Sequence, residues 1–136
     1  MDDEKFGVIE WWGFDELQEV RELRDGVPLV AVALNFGSRW VRWDALDDDT
    51  LSMRELDVAA DEFSDGSWIV ATGREPWTRF VGKYVRWGRA MTNHHGWLDG
   101  YQLEFTTGEG AIGDGVEMIV AASSVQLGTS RFSRRS

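Results

Sequence analysis

The feature that most constrains this chain is a pair of strand-like runs joined by a two-residue connection. Val27–Phe36 is an apolar stretch rich in Val and Leu, bounded by Gly26 and Gly37. Gly37-Ser38 follows, and Arg39–Leu46 then alternates, with Trp40, Arg42 and Asp44 on one face and Val41, Trp43 and Ala45 on the other. A buried run, a tight turn and an alternating run predict a β-hairpin. The same grammar recurs downstream. Ser67–Thr72 is a short strand after the Asp65-Gly66 turn signal, and Phe80–Asn93 reads as a strand ending in the bend His94-His95-Gly96. Leu98–Thr106 returns with Tyr101, Leu103 and Phe105 on one face and Gln102 and Glu104 on the other. Gly108–Gly115 is a glycine-rich acidic connection, and Val116–Leu127 supplies a last strand.

Two segments are less regular. Leu17, Val20 and Leu23 recur every three residues, which leans helical, yet Val20–Leu23 also suits an edge strand entering the Asp25-Gly26 turn, and a strand is the reading adopted. Asp47-Asp48-Asp49-Thr50 ends a strand, because Asp is poor in strands and good in turns. Asp49 or Thr50 is a candidate cap for a short helical turn, and Leu51–Phe63 reads as irregular or briefly helical. The expectation is an α+β fold, mainly antiparallel β: one curved sheet of about six strands in hairpin or meander order with one short helix. Residues 1–136 read as a single domain, with 1–6 and 130–136 as frayed termini.

Composition narrows the function classes. The net charge is −10 and uneven: residues 1–75 carry 19 Asp and Glu against 7 Lys and Arg, and residues 76–136 carry 5 against 7. A negative field repels phosphate backbones and attracts basic partners, which argues against a nucleic-acid ligand for the first half. The chain has no cysteine, so disulfides, thiolate metal sites and a cysteine nucleophile are excluded. The start Met1-Asp2-Asp3-Glu4 is acidic where a signal peptide is basic. The longest uncharged stretches, Gly26–Ser38 and Met118–Ser130, are 13 residues each. A membrane helix needs about 20 apolar residues, so a cytoplasmic protein without membrane contact is expected. Eight tryptophans are more than a small core hides, and one or two are expected at the surface as contact residues.

No catalytic constellation emerges. The run Asp47–Asp49 lacks the calcium-loop spacing, and neighbouring acids on a strand point to opposite sides, so no metal is assigned. His94 and His95, the only histidines, have no metal-helix pattern and no accompanying nucleophile motif. The Gly108–Gly115 loop lacks the Lys-Ser/Thr of a phosphate loop. Interleaved Arg and aromatic residues between Trp77 and Trp87 can stack bases, but on a strand such alternation gives an aromatic core face and an Arg-bearing solvent face.

Three stretches together carry a resemblance: Val30–Phe36 running into Val41–Ala45 and Asp47–Leu51; Met91–Phe105; and Val120–Val125. Over residues 17–127 the chain resembles a family of small bacterial domains of unknown function, of the kind that look like immunity proteins of interbacterial toxin systems. The shared motifs are structural, so no active-site residue is implied. The resemblance implies a non-enzymatic inhibitor without cofactor. It would bind a basic cognate toxin, a nucleic-acid-targeting or nucleotide-using enzyme, and occlude its active site. The candidate contacts are Asp47, Asp48, Asp49, Asp57, Asp61, Glu62 and Asp65, with Trp40 or Trp43 as aromatic anchor. Two other classes stay open: a small-ligand module or enzyme with a pocket lined by Trp87, Trp97, Tyr101 and His94, and a housekeeping interaction domain.

Overall fold

The computed structural model describes residues 11, 14–56, 68–93, 95–106 and 113–132. Within them the chain forms nine strands: β1 (Glu19–Arg24), β2 (Leu29–Asn35), β3 (Trp40–Ala45), β4 (Leu51–Leu56), β5 (Trp68–Val70), β6 (Tyr84–Thr92), β7 (Leu98–Thr106), β8 (Gly113–Ala121) and β9 (Ser124–Phe132). They make two antiparallel sheets rather than one curved sheet, a five-stranded sheet in the order β4-β3-β2-β1-β5 and a four-stranded meander β6-β7-β8-β9. A 3-10 turn at Trp77–Arg79 lies on the connection between the sheets. The architecture is therefore β-rich, and the expected α+β single sheet is corrected.

Both sheets turn their apolar rows toward one core. Val20, Val32, Leu34, Val41, Trp43, Leu51 and Met53 come from the first sheet, and Val85, Tyr101, Leu103, Phe105, Val116, Met118, Val120 and Val125 from the second. Each fully buried Val, Leu or Met contributes roughly 1.5–3 kcal/mol relative to exposure. Val41 and Trp43 point inward, as the alternation in Arg39–Leu46 requires, while Trp40 lies on the other face and packs with Ala33, Leu56 and Trp68 in a smaller cluster. Trp11 closes the core. Its ring stacks on Trp43 at 6.3 Å, and its Nε1 donates to the Tyr101 hydroxyl at 3.1 Å.

Further differences from the expectation have local causes. Leu51–Leu56 is a strand, paired along β3 from Ala45↔Leu51 to Trp40↔Leu56, so the short helical turn capped by Asp49 or Thr50 is absent. The single last strand is two strands joined at Ala122-Ser123. Both residues have positive φ (53° and 62°), the signature of a tight type I′ hairpin turn, and Gly or Asn is the usual occupant there. The strand at Val20–Leu23 is present, but its inward row is Val20 and Glu22, the latter 1% exposed. The Glu22 carboxylate is satisfied by the Trp77 indole N–H at 2.9 Å and by Arg24 at 3.1 Å, which lets an acid occupy a core-facing position. Glu104, expected on a polar face, is equally buried and faces Arg86 at 3.4 Å.

Candidate functional site

Strand direction alternates, so the β1–β2 and β3–β4 turns lie at one end of the first sheet, opposite the β2–β3 turn. The β8–β9 turn joins them there: Asp49 Oδ1 accepts a hydrogen bond from the Ser123 backbone N–H at 2.7 Å. The β6–β7 turn joins them too, since Trp97 and Leu46 line one cleft. Four turns thus meet at one end of the molecule. Its tips carry the exposed apolar side chains Val27 (84%), Trp97 (54%) and Leu46 (42%).

The acidic run forms the β3–β4 hairpin loop. Leu46 N–H donates to the Thr50 carbonyl (2.9 Å) and Asp49 N–H to the Leu46 carbonyl (3.0 Å). Asp49 then takes a left-handed φ of 63°, a conformation Asp tolerates better than most residues. Asp48 is held by its neighbour, its Oδ1 accepting from the Thr50 N–H (3.2 Å) and hydroxyl (2.6 Å). Its Oδ2 has no partner among the described residues. Asp47 and Asp48 are both exposed. Across the cleft the β6–β7 turn is built the same way. Asn93 N–H donates to the Trp97 carbonyl (3.0 Å), Gly96 takes φ 84°, and Asn93 Oδ1 accepts from the backbone N–H groups of His95 (2.9 Å) and Trp97 (3.2 Å). His95 packs on the Trp97 ring at 5.5 Å. Between the two turns lies an open cleft of about 380 Å³, lined by Leu46, Asp48, Thr50, Leu51, Ser52, Gly96, Trp97 and Leu98. A second cleft of about 280 Å³ lies beside Arg24, Val27 and the start of β9.

The expected contact residues fall into three groups. Asp47, Asp48 and Asp49 sit together at this end, Asp49 with its carboxylate engaged by Ser123. Asp57, Asp61, Glu62 and Asp65 lie outside the described residues. Trp40 (5% exposed) and Trp43 (0%) are buried, so neither stands at a surface as an aromatic anchor; their alternating neighbours place one on each face of a covered sheet. The tryptophan exposed beside the acidic loop is Trp97. The tryptophan pocket of the ligand-module reading is not assembled. Tyr101 is 2% exposed and inside the core, Trp97 lies at the turn end, and Trp87 is half-buried under Arg89, whose guanidinium is 5.9 Å from its ring. His94 lies outside the described residues.

Among the described residues no group of three or more His, Asp or Glu side chains is placed to hold a metal ion, and no helix is long and apolar enough to cross a membrane. The buried carboxylates, Glu22 and Glu104, each face an arginine. Burial raises the pKa of the Tyr101 hydroxyl above its ordinary value, with the Trp11 hydrogen bond opposing the shift. No protein-family model, no curated protein and no solved structure matches the chain.

Proposed function

We propose that this protein is a non-catalytic binding domain that captures a basic protein at its acidic turn end, and that it acts as an immunity-type inhibitor, covering the active site of a cognate toxin. The observation that carries this reading is the cleft between the β3–β4 and β6–β7 turns, lined by both a half-exposed tryptophan, Trp97, and an acid fixed by its own turn, Asp48. Exposed tryptophans set among polar groups are typical affinity centres of protein interfaces. The surrounding charge, with Asp25 and Asp47 also exposed, accelerates encounter with a positive surface. A toxin acting on nucleic acid or nucleotides has such a surface around its own substrate site, which makes it a natural target for occlusion. The contact set proposed is Asp47, Asp48, Leu46 and Trp97.

The test is genetic and biochemical. The chain is used to capture partners from lysate of its own source at low and high salt. Each captured basic protein is then expressed alone and beside this chain. A partner that halts growth alone and is harmless in company supports the reading. Asp47→Lys with Asp48→Lys, or Trp97→Ala, should abolish the protection. Protection that persists in both variants overturns the assignment to this end of the molecule.

A further inference from the structure

Among the described residues one arrangement occurs three times. Arg21 lies over the Trp40 ring at 5.1 Å and pairs with Glu19 at 2.8 Å. Arg42 lies over the Trp68 ring at 4.9 Å and pairs with Asp44 through two hydrogen bonds of 2.8 and 2.9 Å. Arg39 lies over the Phe14 ring at 3.8 Å and pairs with Glu55 at 2.8 and 3.2 Å. Each time a guanidinium sits on an aromatic face with a carboxylate to receive its N–H groups. The combination suits arginine because the guanidinium is planar and weakly hydrated and donates in a fixed fork.

At the turn end a ring and a carboxylate line one cleft, with His95 against the ring and no arginine among the described lining residues. Trp97 is 54% exposed, Asp48 Oδ2 is unengaged among the described residues, and no Lys or Arg is among the described residues lining their shared cleft. Leu46, Leu51 and Leu98 add apolar wall. We infer that this cleft is a receptor for a single arginine side chain supplied by the partner. The methylenes of that side chain lie along the leucines, and its guanidinium sits between the Trp97 face and Asp48 Oδ2. This rests on the reading that the turn end binds a basic protein, and it adds what is recognised there. The volume, about 380 Å³, is near the lower limit of ligand pockets, a scale that suits one side chain rather than a large cofactor. Lysine is the poorer fit, since a compact, strongly hydrated ammonium stacks less well on indole.

The experiment titrates capped Gly-Arg-Gly into the full ¹⁵N-labelled chain and follows the Trp97 indole N–H resonance, assigned by its loss in Trp97→Phe. Capped peptides with lysine or citrulline in place of arginine are run in parallel. The expected result is a saturable shift of the Trp97 resonance with the arginine peptide, weaker binding of the lysine peptide, and binding of the isosteric uncharged citrulline peptide weaker by about tenfold. Asp48→Asn should weaken the arginine peptide by about fivefold or more while leaving the other indole resonances in place, so that loss of fold is separated from loss of the carboxylate. Equal binding of arginine and citrulline peptides, no effect of Asp48→Asn, or no saturation at tens of millimolar peptide overturns the inference. The two readings fail separately. If the peptides do not bind but the Asp47 and Asp48 reversals still abolish toxin protection, only the arginine receptor is lost. If the arginine peptide binds and the reversals leave protection intact, the cleft chemistry stands and the interface assignment falls.

Discussion

Gly88→Ala should be strongly destabilising, and the structure gives the reason as distances. Gly88 lies in β6 opposite Leu103 of β7. A methyl group there would lie 2.5 Å from the Tyr101 hydroxyl oxygen, 2.6 Å from Trp11 Nε1 and 2.7 Å from Tyr101 Cε2. Favourable heavy-atom contacts between carbons are near 3.5–4.0 Å, so all three are short by about 1 Å. Neither ring has room to yield. Trp11 and Tyr101 are 5% and 2% exposed, and Trp11 is packed by Phe14, Phe36 and Trp43. Overpacking costs about 1–3 kcal/mol. Separating the two rings also breaks the Trp11–Tyr101 hydrogen bond and strands a buried donor, for about 1–3 kcal/mol more. Replacing glycine inside a strand otherwise gains about 0.5–1 kcal/mol. The net is a loss of roughly 1–5 kcal/mol. Urea unfolding followed by tryptophan fluorescence measures it, with the midpoint expected to fall by on the order of 1 M or more. Gly73→Ala is the control, since nothing lies within 4 Å of its added methyl. A Gly88→Ala midpoint indistinguishable from that of Gly73→Ala would refute the argument that the Trp11–Tyr101 contact requires this glycine.

Tyr101→Phe should cost about 1–3 kcal/mol by leaving the Trp11 indole N–H without its acceptor. It should also change the alkaline limb of stability. Burial raises the native pKa of Tyr101 above 10.0, so its contribution is complete below the unfolded pKa and is lost as pH rises through the native one. Urea midpoints measured upward from about pH 9 should fall more steeply for the parent than for Tyr101→Phe, and equal slopes would contradict the assignment. Asp49→Ala should lose about 1.5–3 kcal/mol, combining the hydrogen bond from Ser123 with the cost of a left-handed conformation for alanine, whereas Asp49→Asn, which keeps an acceptor and tolerates that φ, should lose less than about 1 kcal/mol. Unfolding curves that rank the two variants in the opposite order would show that the Asp49–Ser123 contact does not hold the two turns together.

The legible part of the fold was whatever announced itself by apolar periodicity. The hairpin of β2 and β3 and the whole of β7 follow from Val27–Phe36, Arg39–Leu46 and Leu98–Thr106, where side-chain alternation and burial agree. The illegible part lay where a buried row includes a charge or a turn lacks its usual residues. Glu22 breaks the inward row of β1, and only the distant Trp77 and Arg24 explain its burial. Acids before and within Leu51–Leu56 disguised β4, although Leu51 and Met53 are an inward pair. Ala122-Ser123 gives no glycine or asparagine to mark the turn between β8 and β9. The division into two sheets depends on the passage through Trp77–Arg79 and is not a property of any one strand. At the site, the three aspartates were legible as a turn-forming acidic run, and their neighbours were not. Trp40 and Trp43 carry the same indole as Trp97, and only the sheet packing decides that the first two are covered and the third is presented.

The manner in which the acidic turn is held bears on what it can do. Charge alone brings basic surfaces closer without choosing among them. Choice requires contacts whose geometry exists before the partner arrives, because ordering a loop on binding cancels part of the interaction energy. Here Asp48 is fixed by two hydrogen bonds from Thr50, the hairpin is closed between Leu46 and Thr50, and Asp49 ties the loop to the second sheet through Ser123. Facing it, Asn93 braces the turn that presents Trp97. The cleft is therefore bounded by two hairpins anchored to different sheets of one core. An acidic patch serving solubility needs none of this bracing, since solvated carboxylates function equally well on a mobile loop. The fixed carboxylate and the exposed indole line the same cleft, which is the arrangement that the proposed binding role requires.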